Sequence, residues 1–291
     1  LGVSVPADAD EVADDRIQPA LHAFLAGDAD ALGEAIGRDP EIVNLPWQGN
    51  TLIEWATQPP QGVAPGVVQV LIDHGADVDR ALNLAACWNL PDLCRQLLAA
   101  GADPTARADA DITPLESAAM HGSTGAAEVL ITHGLHRPCL WVAAAAGRLD
   151  LVRTWVDPQG TLLAPPGPYR PNWADVGRSP GAEPTDEPGE IMGEALVFAA
   201  ANDRTEVVDY LIGAGADIDA RPYRNTTGLH LAIQFHKPEM VRHLLARGAS
   251  IDILDDEHRS DATGWAAACD DGSPSATTII GLVARRRSAG P

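Results

Sequence analysis

Two glutamates and a histidine are the residues best suited to chemistry. Glu54 and Glu116 occupy equivalent places in two similar stretches, and His121 follows Glu116 by five residues. Paired inward carboxylates do acid–base work when burial raises the pKa of one of them. Each glutamate, however, stands three residues after a threonine, Thr51 and Thr113. Thr-x-x-Glu at a helix start is a capping box, in which hydroxyl and carboxylate satisfy the free amides of the first turn reciprocally. Capping is the favoured reading, so no catalytic residue is assigned. If the chain has an activity, Glu54, Glu116 and His121 are its candidates.

Other polar clusters lead to the same place. His133 and His136 flank a helix end, Asp255, Asp256 and His258 share a loop, and Cys87 and Cys94 fall on two different helices. None has zinc-finger or H-E-x-x-H spacing. There is no phosphate-binding loop and no G-x-S-x-G elbow. The glycines end helices rather than open them, so they offer no helix N-terminus to a phosphate. No metal and no cofactor are expected.

The elements that carry these residues repeat along the chain. Gly-Ala-Asp or Gly-Ala-Ser recurs at Gly75, Gly101, Gly215 and Gly248, each time after an apolar helix end such as Leu97-Leu98 or Leu244-Leu245. Upstream lie the helix starts Thr113-Pro114-Leu115-Glu116-Ser117-Ala118-Ala119 and Thr227-Gly228-Leu229-His230-Leu231-Ala232. Thr caps, Pro is tolerated at the first helical position, small Ala residues let helices approach, and Gly supplies a left-handed end. On these residues the chain resembles the ankyrin-repeat family, in a degenerate, bacterial-type form.

The resemblance implies an all-α fold, an ankyrin-repeat α-solenoid of about eight helix pairs. An acidic, disordered leader is expected over 1–16 and about five units over 17–160. A Pro/Gly-rich insertion follows over 161–193, then about three units over 194–291. Unit six is set to begin at Glu194 and unit eight at Thr263. Glu54 and Glu116 take the place where the family usually has His. His230 holds the family's own His position, which implies a structural bridge between loops.

Composition narrows the partners. Lys and Arg number 20 against 41 Asp and Glu, a net charge of −21. Such a surface repels nucleic acid and anionic lipid, and draws basic partners. Lys237 is the only lysine in a chain rich in Ala, Gly, Pro, Arg and Asp, as high-GC codon usage would give. The N-terminal stretch has no apolar run of a signal peptide, and no stretch is long enough to span a bilayer. The four cysteines read as reduced thiols, and the protein as a cytoplasmic monomer.

The family resemblance further implies recognition through the concave face. Exposed first-helix positions in this register include Trp88, Met120, His121, Asn202, Gln234, Phe235, Asp270 and Asp271. Trp88, His121, Phe235, Asp270 and Asp271 are expected to touch the partner, with Asp255, Asp256 and His258 as an acidic finger and Trp173 contributing from the insertion. Trp55, Trp141, Trp155 and Trp265 read as packing residues. The leading function is a non-enzymatic scaffold for a protein or peptide, basic or aromatic-bearing. The alternative is a small-molecule-binding or tailoring enzyme, performing proton-transfer cyclisation or isomerisation in a pocket closed by the insertion.

Overall fold

A computed structural model describes residues 15–58, 65–107, 112–134, 139–164 and 185–289. Among these residues there are sixteen α-helices and two short 3-10 turns, with isolated bridges in place of strands. The helices form eight consecutive pairs. Unit one is α1 (Gln18–Ala26) and α2 (Ala29–Arg38), and unit two is α3 (Leu52–Trp55) and α4 (Pro65–Asp73). Unit three is α5 (Val78–Cys87) and α6 (Pro91–Ala99); unit four is α7 (Pro114–Met120) and α8 (Thr124–Thr132). Unit five is α9 (Leu140–Ala145) and α10 (Leu149–Trp155); unit six is α11 (Pro188–Ala201) and α12 (Thr205–Gly213). Unit seven is α13 (Gly228–Gln234) and α14 (Pro238–Ala246), and unit eight is α15 (Ala262–Ala268) and α16 (Pro274–Ser288). First helices stack in one layer, α3 through α15. Second helices form the other, with α2 on α4, α6 on α8, α10 on α12 and α14 on α16.

Local chemistry sets the ends of the pairs. Thr113 and Thr227 accept from the amides three residues on, while Asp28, Asp261 and Ser273 cap α2, α15 and α16. Between the helices of a pair the chain takes a left-handed residue. Gly122 and Gly147 fill that place in units four and five, and Asn89, Asp203 and His236 fill it in units three, six and seven at φ 54°, 59° and 54°. Asn, Asp and His are the non-glycine types that tolerate this region best.

Two boundaries differ from those read in the sequence. α11 starts at Pro188, six residues before Glu194, because Ile191 and Met192 join Ala195 on a buried face. Unit eight is capped by Asp261, whose carboxylate accepts from the Thr263 and Gly264 amides, so Thr263 lies inside the helix. α5 opens at Val78 behind the cap Asp77. Asp15–Ile17 forms a 3-10 turn; Ile17 is buried and Arg16 pairs with Asp39 and Glu41. The rest of the expected leader lies outside the described residues.

The apolar core runs through the whole array. α9 packs along α11, and one buried cluster joins Leu115, Ala118 and Trp141 to Val197, Phe198 and Ala201. A second joins Leu140 and Val152 to Leu196, Leu211, Leu244 and Ile279. Trp141 is buried, and Trp55, Trp155 and Trp265 are half-buried against these clusters. Trp47 adds a packing role not foreseen. Its ring lies 5.2 Å from that of Trp55, and its carbonyl accepts from the Trp55 indole at 2.8 Å.

Candidate partner-binding surface

Four of the positions expected to be exposed share one register. Trp88, His121, Asn202 and Phe235 each follow the last residue of a first helix, in units three, four, six and seven. They therefore line one edge of the array, where first helix turns into second. Their environments separate them. The Trp88 side chain is 42% exposed. His121 is exposed too, its ring Nδ1 donating back to the Ser117 carbonyl at 2.8 Å.

Asn202 and Phe235 are turned inward, contrary to the exposure expected of them. Asn202 is fully buried and donates to the Ala119 and Phe198 carbonyls at 2.8 and 2.9 Å. Phe235 is half-buried against the core beside Gly122, where an added Cβ would lie 2.6 Å from the phenyl ring. The cause is the path of the array. The turns of units six and seven meet that of unit four, which linear register does not reveal. Met120 is half-buried and Gln234 exposed.

In unit eight, Asp270 and Asp271 are exposed at the turn. The Asp270 carboxylate accepts from the Gly272 amide at 3.0 Å and that of Asp271 from the Ser273 amide at 2.9 Å. Hydrogen bonds from the Ser273 side chain and amide hold the Asp271 carboxyl below the usual range, and the nearby His236 acts the same way.

The 255–258 loop is only partly a finger. Asp255 is buried, and its oxygens accept from the Glu257, His258 and Ser260 amides and the Trp265 indole at 2.6–3.0 Å. Burial alone would raise its pKa, but these bonds outweigh burial and hold the carboxyl below its ordinary value. Asp255 is thus a loop staple, a correction to its reading as a contact. Asp256, Glu257 and His258 remain exposed. Asp256 accepts from the Asn225 side chain at 2.6 Å and Glu257 pairs with Arg224, which pins the loop to the preceding unit.

The acid–base candidates are not brought together. The Glu54 carboxylate accepts from the Thr51 amide at 2.7 Å and meets Arg80 at 3.2 Å. That of Glu116 accepts from the Thr113 amide at 2.7 Å. Glu116 completes a capping box with Thr113, Glu54 caps the Thr51 amide from the same place in α3, and α5 lies between α3 and α7. His121 is at the far end of α7 from Glu116. His230 also completes a box, with Thr227, its ring 5.2 Å from Trp265.

Sequence reasoning missed Glu194. It is buried in α11, and its only signal was a carboxylate in an otherwise apolar run. Burial pushes the Cys139 thiol up to about 12, and the charges of Glu116 and Glu194 both push the same way. Burial, then Glu194, raises Tyr223 well above the ordinary phenol value. The Trp141 and Phe198 rings are 4.8 Å apart, and those of Phe198 and Tyr223 6.1 Å. Units four to seven thus enclose two carboxylates, a thiol, a phenol and neighbouring rings.

The four cysteines are free thiols. Among the described residues, no group of three His, Cys, Asp or Glu side chains could hold a metal ion, and no helix is long and apolar enough to cross a membrane. Trp173 and His136 lie outside the described residues.

Helix pairs with capped starts, left-handed turns and Gly-Ala-Asp ends are what the ankyrin family shares, and residues 180–270 match its repeats in three copies. Over these residues the chain carries ankyrin repeats. It is 28% identical over 235 residues to the E3 ubiquitin-protein ligase KEG of Arabidopsis thaliana, covering 67% of this chain and 14% of that protein. It is 29% identical over 197 residues to the ankyrin repeat domain-containing protein SAT10 of Stachybotrys chartarum, covering 60% and 10%. The chain thus spans a small fraction of each relative. The human ASB11 ankyrin repeat domain aligns over 91% of this chain and 97% of its own, with TM-score 0.42 and 16% identity.

Proposed function

We propose that this ankyrin array is a non-enzymatic scaffold, a cytoplasmic monomer that binds a basic or aromatic-bearing protein or peptide segment. Trp88 carries the reading. A large amphipathic ring at 42% exposure, on an edge of helix turns, is the kind of side chain that anchors interfaces. His121 stands at the same register one unit on, and Asp256, His258, Asp270 and Asp271 supply exposed polar contacts. The net charge of −21 supports a cationic partner and weighs against nucleic acid and anionic membranes. Phe235 and Asp255 are set aside because their side chains serve the fold. The test is capture of basic, neutral and acidic peptides at low and high salt, by the native chain and by Trp88→Ala. Basic peptides should bind, lose affinity with salt, and be lost on Trp88→Ala. Capture indifferent to peptide charge and to Trp88 would remove the assignment.

A second reading is favoured by the enclosed Glu116 and Glu194. Two buried carboxylates among aromatic rings suit a small-molecule binder or a proton-transfer enzyme. In that case a small molecule should survive native mass spectrometry on the native chain and be lost on Glu194→Gln. Equal spectra from both chains would count against it.

A further inference from the structure

In a solenoid each unit normally touches only its neighbours. Unit four departs from this. The Nζ of Lys237, in the turn of unit seven, donates to the Gly122 carbonyl at 3.0 Å and to the Thr124 hydroxyl at 3.1 Å. These partners are more than a hundred residues away in the chain and three units back. Beside them Asn202 of unit six reaches the Ala119 carbonyl at 2.8 Å. Arg204 donates to the Ala145 carbonyl at 3.0 Å and meets Glu128 at 3.3 Å. Phe235 fills the space that a side chain at position 122 would take.

We propose that these contacts form a clasp, in which Lys237 holds the turn of unit seven on that of unit four and keeps this edge of the array closed. Opening the clasp would part unit four from unit seven and admit a partner between them. That last clause rests on the scaffold reading; the clasp itself does not. The ammonium at the seam is partly stripped of water, which lowers its pKa, while Asp203 acts to raise it and Arg204 to lower it further. Neutral oxygens, rather than a carboxylate, receive its hydrogen bonds, and the ion pair beside it, Arg204 with Glu128, joins unit six to unit four. A charge-assisted bond to neutral acceptors is strong enough to close an edge and weak enough to release.

The test compares the full chain with Lys237→Met and with Thr124→Ala, using hydrogen exchange and small-angle X-ray scattering without any partner. Lys237→Met should keep its helical circular dichroism. Amides of 119–124 and 200–204 should exchange at least about tenfold faster, and the maximum dimension should grow. Thr124→Ala, which removes one acceptor, should show a smaller rise in the same peptides. Native exchange and scattering in both variants would overturn the clasp, and Thr124→Ala decides if Lys237→Met does not fold. If Lys237→Met opens the edge but captures basic peptides as the native chain does, the gating clause falls and the clasp stands.

Discussion

Replacing Gly122 by Ala tests the seam between units four and seven, and Gly27 provides the control. Both glycines follow a first helix and both are left-handed, at φ +62° and +71°. Alanine in that conformation costs about 1–2 kcal/mol at either site. The surroundings differ. A Cβ at position 27 meets nothing within 4 Å. At position 122 it would lie 2.6 Å from the Phe235 ring and 2.8 Å from the Ala201 carbonyl oxygen. The ring can swing aside, but the carbonyl belongs to the end of α11 and moves only if the seam opens. Overpacking of this kind costs about 1–3 kcal/mol more. Gly122→Ala should therefore lose roughly 2 kcal/mol more than Gly27→Ala. Urea unfolding followed by circular dichroism measures both. Equal losses, or a larger loss at Gly27, would refute the idea that unit four is closely packed against units six and seven.

Trp88→Ala should lower the unfolding free energy by no more than about 1 kcal/mol, because the residue is 42% exposed and serves the core only in part. Phe235→Ala should lower stability by about 2–4 kcal/mol, because its ring packs on the core; a neutral result would place it in an open groove instead. Glu116→Ala should cost about 1 kcal/mol through loss of its capping box, and Thr113→Ala a similar amount, with little further loss in the double variant. Full additivity would show that the two act separately. Acidification should weaken unit eight and its neighbour in two steps. Burial depresses the His230 pKa in the fold, although Asp255 opposes this, so its contribution is complete above about pH 6.5 and is lost as pH falls below that. Asp255 and Asp261 are also depressed, their hydrogen bonds outweighing burial, so a second loss follows below about pH 4. A urea midpoint flat from neutral pH to about pH 5 would contradict the His230 assignment, and one flat from about pH 4 to about pH 2 that of the two aspartates.

Local features were legible in the sequence. Thr113, Thr227 and the Gly-Ala-Asp ends mark helix boundaries because a cap or a left-handed glycine acts within one turn. The number of helix pairs follows from these marks, and so does the capping role of Glu54 and Glu116. The start of α11 was not legible, since Pro188 and Gly189 sit in a Pro/Gly-rich stretch and only the burial of Ile191 and Met192 draws them into a helix. Asn202 and Phe235 share a register with Trp88, yet only Trp88 is exposed. What separates them is contact between units that are not adjacent, Asn202 with Ala119 and Phe235 with Gly122, which no local pattern marks. Asp255 went inward for a related reason: the loop closes on Trp265, ten residues later.

The most direct measurement is native mass spectrometry of the chain and of Trp88→Ala after incubation with an extract of its source cells. The account predicts a protein or peptide adduct on the native chain that disappears in the variant and weakens with added salt. A retained small molecule in its place, or an adduct held equally by both chains, would contradict it.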